Sequence, residues 1–139
     1  FFQNHVTVIE VMGTWCPNCL DASRYLDTLT NDIQDTALRV MPLLFERGDS
    51  FAQWTIAAQK FFSFRDKAPE YFFGGKASKK TAAALFPSLT EIIAFPTLII
   101  IDRQGNIAWV HSGFYGPGTG AYYEKNKKIL KRTILQLLR

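Results

Sequence analysis

The sequence predicts an α/β fold in which helices flank a central mixed β-sheet. In the first half, short β-branched runs alternate with segments of helical period. In the last third, two apolar runs flank a tight turn, and a helical segment follows. Strand–helix–strand order implies a parallel pair with a crossover, whereas strands joined by a short turn pair antiparallel. A sheet that holds both arrangements is mixed.

The first half contains two predicted strands and two predicted helices. Val6–Met12 is a short, β-branched, apolar run that predicts a buried strand, and residues 16–34 have the apolar spacing of a helix. Residues 37–45 form the next strand, in which Pro42 predicts an edge position or a bulge. After the polar loop at residues 48–50, the apolar positions of residues 51–62 predict a second helix.

The second half is less regular before it reaches a hairpin and a final helix. Residues 71–73 predict a short strand closed by two glycines, and residues 78–85 predict a helix. Thr97–Ile101 predicts a buried strand that turns at residues 104–106 into a partner at 107–111. Residues 113–120, which hold four glycines, predict a loop. Ala121–Leu138 predicts the last helix, and its basic cluster predicts the solvated face of that helix.

Composition indicates one globular domain over residues 1–139, which we expect to be monomeric. The chain is 47% hydrophobic with a net charge of +4, which excludes a disordered segment, and no run is long enough for a membrane span. Aromatic residues are not interleaved with the basic cluster, which disfavours nucleic acid as a partner. Because the chain starts at Phe1 without a Met or a leader pattern, we expect it to be part of a longer or processed protein.

The only two cysteines, Cys16 and Cys19, form a single Cys-x-x-Cys motif between the first strand and the first helix. This order places Cys16 at a helix N-terminus, where unpaired N–H groups and the helix dipole favour a thiolate. Pro17 suits the first helical turn because its missing N–H would be unpaired there. Cys16 is therefore the candidate nucleophile, and Cys19, one turn further on, would resolve a mixed disulfide by attacking Cys16.

Other uses of the motif are weaker. Structural zinc requires four ligands, and His5 and His111 are the only histidines beside the one cysteine pair. Haem attachment requires His directly after the second cysteine, where Leu20 stands. We therefore expect no metal and no cofactor other than the redox-active Cys16–Cys19 disulfide. A peroxide-reducing thiol enzyme and a redox-switched binding module without turnover stay open as alternatives.

The combination of Trp15-Cys16-Pro17-Asn18-Cys19 at a strand–helix junction with a distant Phe95-Pro96-Thr97 resembles the thioredoxin superfamily. Within it, the chain resembles the C-terminal thioredoxin domain of TlpA/ResA-type thiol–disulfide oxidoreductases. Residues 12–19, 97–106 and 113–120 look particularly like members from Bacteroidetes. The resemblance covers essentially the whole chain and implies a thioredoxin-like fold that exchanges disulfides with proteins, with a lean towards reduction because Asn18 is uncharged.

The resemblance implies roles for several residues. Pro96 matches a cis-proline that faces the cysteine pair, and the backbone of Phe95 would pair with an extended substrate peptide. Whether the Phe95 ring flanks the site or packs in the core stays open. Glu10 matches a buried acid, typically Asp, whose raised pKa suits it to shuttle the proton of Cys19. Because the Glu side chain is longer than that of Asp, whether the Glu10 carboxyl group reaches Cys19 stays open.

Trp15 is expected to shield Cys16 and, with Pro17, to line the docking surface. Gly113 and Phe114 would border the substrate groove beside the cis-proline loop, and Thr14 and Asn18 are further exposed candidates. The interval from Cys16 to Pro96 is longer than in a minimal thioredoxin. The excess at about residues 65–94 matches the insertion of TlpA/ResA-like proteins, which precedes the cis-Pro strand.

The resemblance also bears on partners and location. It implies protein thiol or disulfide substrates, an upstream thiol reductase, and an extracytoplasmic location, either periplasmic or membrane-anchored. The chain lacks the N-terminal strands usual in this family, so the strand that contains Pro42 is predicted to be an unprotected edge.

Overall fold

The computed structural model describes residues 2–89 and 94–139, and it has a five-stranded mixed sheet flanked by helices. The strands are β1 (Val6–Met12), β2 (Leu38–Glu46), β3 (Phe72–Lys76), β4 (Thr97–Ile101) and β5 (Ile107–Ser112). The helices are α1 (Pro17–Ile33), α2 (Phe51–Phe61), α3 (Lys79–Ala84) and α4 (Ala121–Leu138). Short 3-10 turns lie at Phe62–Phe64 and Pro117–Thr119. The predicted fold class is confirmed.

The strand order β3-β2-β1-β4-β5 brings several chain segments to one edge of the sheet. β1, β2 and β3 run parallel, whereas β4 runs antiparallel to both β1 and β5. Met12 at the end of β1 therefore pairs with Leu44 near the end of β2, and Val11 pairs with Thr97 at the start of β4. The segments that follow β1 and β2 thus lie beside the segment that precedes β4.

The two faces of β1 and β4 are both covered, which is why these strands are almost wholly apolar. On one face, Val6 and Val8 pack with Leu98 and Ile100 against the buried sides of α1 and α4. On the other face, Ile9 and Val11 pack with β2 and with Ala82 of α3. Because side chains alternate along a strand, Glu10 shares the first face with Val8 and points towards α1.

The end of the first helix and the start of the next two follow from their capping residues. Gln34 ends α1 in a left-handed conformation with φ 51°. The hydroxyl of Ser50 accepts a hydrogen bond from the Gln53 N–H at the start of α2, and Ser78 does the same for Thr81 at the start of α3.

Two predictions for the strands were wrong in part. β3 does not end at the glycines but runs through Gly74 and Gly75. A side chain at Gly74 would collide with the Phe45 ring of β2, so this glycine serves the packing of the strand rather than a turn. β2 is not an unprotected edge along its whole length, since β3 covers it from Leu43 to Glu46, with a register shift between Leu44 and Phe45. Within the described residues, however, its stretch through Pro42 is paired only on the β1 side, which is where a residue without an N–H is tolerated.

The predicted insertion contains β3 and α3, which pack on the outer side of β2 and under the sheet respectively. The part of this insertion at residues 90–93 lies outside the described residues. In the described part of the chain, no helix combines the length and apolarity needed to cross a bilayer.

Candidate active site

The cysteine pair lies at the sheet edge, where β1 gives way to α1. A turn closed by the hydrogen bond from the Cys16 N–H to the Gly13 carbonyl at 3.2 Å leads from the strand to the helix. Cys16 is the N-cap of α1, in an extended conformation with φ −102° and ψ 114°, and Pro17 begins the helix. The Cys16 sulfur accepts a hydrogen bond from the Cys19 N–H at 3.3 Å. The predicted helix start is therefore the one observed.

The surroundings of the two thiols move their pKa values in opposite directions. A hydrogen bond from the Cys19 thiol, the N–H groups of Cys19 and Asn18, and the positive charge of Arg47 lower the pKa of Cys16 to about 7, against the opposing effect of burial. Cys19 is fully buried, and burial together with its hydrogen bond to Cys16 raises its pKa. Cys16 is thus the thiol that ionises near neutral pH.

Glu10 lies beneath the cysteine pair and is only 1% exposed. Both of its carboxyl oxygens are 2.9 Å from the Ser23 hydroxyl, which donates to the carboxyl group from the buried side of α1. Burial raises the pKa of Glu10 to about 8, although the Ser23 hydrogen bond and the charge of Arg65 act in the opposite direction. The negative charge of the Cys16 thiolate also raises the pKa of Glu10, so the charge state of Cys16 affects the ionisation of Glu10.

Trp15 covers the site from the side of β2. Its indole N–H donates to the Phe45 carbonyl at 2.9 Å, and the Arg47 guanidinium lies 4.2 Å from the ring centroid. A side chain at Gly13 would collide with this indole and lie 2.8 Å from the Phe45 carbonyl oxygen. Glycine at position 13 therefore allows the close approach of the ring to the turn.

The segment before β4 forms the opposite wall. The Phe95–Pro96 peptide bond is cis, and the Phe95 carbonyl lies 3.5 Å from the Cys16 sulfur and accepts its thiol hydrogen. The Phe95 ring packs edge-on against Trp15, with ring centroids 5.4 Å apart, and in a tilted arrangement against Phe45 at 6.1 Å. Ring and backbone therefore have separate positions: the ring joins the aromatic packing and the carbonyl faces the thiol.

The other predicted site residues are divided between the site and the core. Gly113 donates its N–H to the Pro96 carbonyl at 2.7 Å and has φ +83°, which favours glycine. Pro17 and Asn18 are exposed. Phe114 is only 6% exposed and packs against Tyr25 and Tyr123 in the core, so its ring does not border a groove as predicted. The physical reason is that this apolar ring is buried in the core cluster formed by β1, β4, α1 and α4.

Sequence reasoning missed three residues at this edge. Thr14 donates its N–H and its hydroxyl to the buried Glu46 carboxyl group, at 2.8 and 2.6 Å. Glu46 ends β2 and Arg47 follows it. The carboxyl ends of adjacent parallel strands meet at one edge, which is a signal that could have located both residues. Ser23 could also have been found, as a polar residue on the apolar stripe of α1.

No group of three or more His, Cys, Asp or Glu side chains within residues 2–89 and 94–139 is arranged to hold a metal ion. The chemistry available at the site is that of an ionisable thiol, a buried second thiol and a protonated buried carboxyl group. These groups can exchange a disulfide and move one proton.

Comparison with known proteins adds the fold. No protein-family model matches the chain, and no curated protein matches it. The chain is similar to a candidate thiol:disulfide interchange protein DsbE from Chlorobium tepidum, with a TM-score of 0.72 and 20% identity over 99% of this chain and 82% of the other. It is also similar to a thioredoxin-family thiol:disulfide interchange protein from the same organism, with a TM-score of 0.67 and 15% identity over 99% of this chain and 83% of the other. A third similar structure is a candidate protein disulfide isomerase from Bacteroides thetaiotaomicron, with a TM-score of 0.65 and 14% identity over 99% of this chain and 76% of the other. These likenesses establish a thioredoxin-like fold.

Proposed function

We propose that this thioredoxin-fold protein is a thiol–disulfide oxidoreductase that exchanges disulfides with protein substrates through Cys16 and Cys19. The observation that carries the proposal is the opposite effect of the site on the two thiols. Cys16, at the helix start, has its pKa lowered to about 7, whereas Cys19, fully buried, has its pKa raised. Such a pair supplies one nucleophile at neutral pH and keeps the second thiol in reserve.

The exchange proceeds in two steps that balance. The Cys16 thiolate attacks one sulfur of the substrate disulfide, whose S–S bond breaks as a mixed disulfide forms, and the departing substrate thiolate takes up a proton. Cys19 then loses its proton and attacks the Cys16 sulfur, which releases the second substrate thiolate. The protein ends with a Cys16–Cys19 disulfide and the substrate with two thiols.

Glu10 is the acceptor for the Cys19 proton in the second step, in the ionised form that it reaches by releasing its own proton to solvent. Its charge raises the pKa of Cys19, which supports proximity of the two groups. The Cys16 thiolate raises the pKa of Glu10, and that charge disappears when the mixed disulfide forms. Glu10 therefore ionises more readily at the stage at which a base is needed.

The surface on which the substrate docks is formed by residues of the cysteine motif and of the segments before β4 and after β5: Trp15, Pro17, Phe95, Pro96 and Gly113. The Phe95 carbonyl at 3.5 Å from the Cys16 sulfur supports a backbone role for this segment, because a substrate cysteine bonded to Cys16 would lie beside it. The Phe95 ring is occupied in packing with Trp15 and Phe45 and contributes shape rather than a contact of its own.

The direction we propose is reduction of the substrate. The pKa of the nucleophile Cys16 is about 7. The pKa of the thioredoxin nucleophile is also about 7, whereas that of a strong oxidant such as DsbA is about 3.5. The protein would act outside the cytoplasm, without a further cofactor, and would be re-reduced by an upstream thiol reductase. The family resemblance supports this setting.

Insulin reduction tests the proposal. The protein should catalyse dithiothreitol-dependent insulin reduction, and Cys16→Ser should abolish it. The matched control Thr28→Ala, an exposed position on α1, should reduce insulin at the wild-type rate. Wild-type activity in Cys16→Ser would refute the assignment, and consumption of peroxide without activity on insulin would favour a thiol peroxidase instead.

A redox titration of the Cys16–Cys19 couple against glutathione tests the direction. We expect a potential near that of thioredoxin, about −270 mV, whereas a potential near about −120 mV would make the protein an oxidant.

A further inference from the structure

A groove of about 400 Å³ lies beside the cysteine motif, between the start of α1 and the α2 region. Thr14 and Leu20, which immediately flank the Trp15–Cys19 motif, contribute one wall. Phe61 and Phe64 line the groove and also pack against the core cluster that contains both cysteines. The groove therefore adjoins the reactive site.

The groove combines an apolar floor with two cations. Arg24 of α1 and Lys60 of α2 both line it and are exposed, and no acidic side chain of the described residues lines it. The Arg24 guanidinium lies 5.7 Å from the centroid of the Phe64 ring. The nearby Asp27 is paired with Arg65 at 2.9 Å. Across residues 2–89 and 94–139, no ion pair involves Arg24 or Lys60.

A disulfide substrate bonded to Cys16 must extend over the surface next to this residue. We propose that the groove receives the segment of the protein substrate that flanks its reactive disulfide, and that this segment carries an apolar side chain for the Phe61–Phe64 floor and an acidic side chain for Arg24 and Lys60. The inference rests on the proposed exchange function and names the substrate class for the same site. Complementary charge at an exposed rim mainly affects encounter and selectivity, and it weakens with salt.

Matched peptides test this inference. Three peptides share one intramolecular disulfide and one flanking leucine, and differ only in a neighbouring Glu, Gln or Lys. The rate constant for their reduction by the fully reduced protein is measured at low and high salt. The variants are Arg24→Gln with Lys60→Gln, and Arg24→Glu with Lys60→Glu. The control Lys125→Gln with Arg132→Gln removes the same charge from exposed positions on α4.

We expect the wild type and the control to reduce the Glu peptide roughly three- to tenfold faster than the Lys peptide at low salt, as two exposed ion pairs would allow. The protein variant Arg24→Gln with Lys60→Gln should lose this preference. The protein variant Arg24→Glu with Lys60→Glu should reverse it, so that the Lys peptide is reduced faster than the Glu peptide. A preference that survives in the Gln variant would overturn the inference.

The proposed function and the docking inference fail in different ways. Equal reduction of all three peptides by the wild type would sink the docking inference and leave the exchange function standing. Reduction of none would sink the exchange function itself. Oxidised glutathione is the small-molecule probe: if its reduction, and not that of the peptides, depends on Arg24 and Lys60, the occupant is a small anionic disulfide and the inference is wrong.

Discussion

The two cysteines lie one helical turn apart and both are buried, Cys16 with 7% and Cys19 with 0% of its surface exposed, yet their surroundings shift their pKa values in opposite directions. Cys16 is at the helix end, receives the Cys19 N–H at 3.3 Å, and is near the positive charge of Arg47. Cys19 is fully buried, in a region that holds the buried carboxyl group of Glu10. The difference teaches that the fold makes two neighbouring buried thiols unequal: hydrogen bonds at the helix end and the charge of Arg47 favour the Cys16 thiolate, whereas burial and its hydrogen bond to Cys16 keep Cys19 protonated.

The largest effect should separate the two cysteines outright. Cys16→Ser should form no adduct with a disulfide substrate, because Cys19 is buried and protonated. Cys19→Ser should accumulate a mixed disulfide through Cys16, since nothing resolves it. Non-reducing electrophoresis after mixing with oxidised substrate measures both. Equal trapping by the two variants would mean that the asymmetry has no chemical consequence.

The next effect should come from the buried side. Glu10→Gln keeps the shape and removes the base, so resolution of the mixed disulfide should slow by about tenfold to a hundredfold, within the range of general base catalysis. Formation of the mixed disulfide by Cys16 should change far less. Rapid-quench trapping of the two steps distinguishes them. Slowing of the first step alone would contradict the assigned role.

Glu10 should also make stability depend on pH. Its pKa is raised to about 8 in the fold, from 4.5, so the folded state holds a proton that the unfolded chain has released between these values. Stability should therefore fall as pH rises through this window, by at most about 1.4 kcal/mol per pH unit for one proton. Urea denaturation at pH 5 and 7 should show the fall in the wild type, and a smaller one in Glu10→Gln.

A smaller effect is expected at Ser23. Ser23→Ala removes the hydroxyl that lies 2.9 Å from both Glu10 oxygens, which raises the pKa of Glu10 further. The pH profile of mixed-disulfide resolution should move to higher pH, with a rate several-fold lower at pH 7 and near normal at pH 9. A merely structural role would lower the rate equally at all pH values. Thr28→Ala serves as the control on the same helix.

The smallest effect should come from the exposed side. Arg47→Gln removes a positive charge that lowers the pKa of Cys16, so that pKa should rise by less than about one unit. The midpoint of Cys16 alkylation against pH reports the change. Lys79→Gln, an exposed cation on α3, should leave the midpoint unmoved. A fall in the midpoint for Arg47→Gln would show that Arg47 acts otherwise than by its charge.

The sequence could predict what depends on local pattern. β1, β4 and α4 were predicted with their observed ends, because each is a strong apolar run or stripe with a clear turn beside it. The start of α1 followed from the order of strand, cysteine and proline. β3 could not be bounded, because Gly74 is required by the Phe45 ring of a neighbouring strand rather than by the local chain.

The site divides in the same way. Cys16 and Cys19 can be read from one motif, and several of the groups that shift their pKa values lie within it, but the charges of Arg47 and Glu10 come from other elements. Glu10 is on β1, Arg47 follows β2, and Phe95, whose carbonyl accepts a hydrogen bond from Cys16, precedes β4; the sheet order brings these segments together. Phe114 shows the converse: its place next to Gly113 suggested the groove, but the direction of its ring is set by packing against Tyr25 and Tyr123.

The alkylation rate of each cysteine in the reduced wild-type protein tests the central asymmetry most directly. The protein is treated with iodoacetamide from pH 5 to 10, and each cysteine is quantified by mass spectrometry. We predict that Cys16 reacts with a midpoint near its pKa of about 7, and that Cys19 stays unmodified in the folded protein over the same range. Comparable alkylation of both cysteines, or faster reaction at Cys19, would contradict the account.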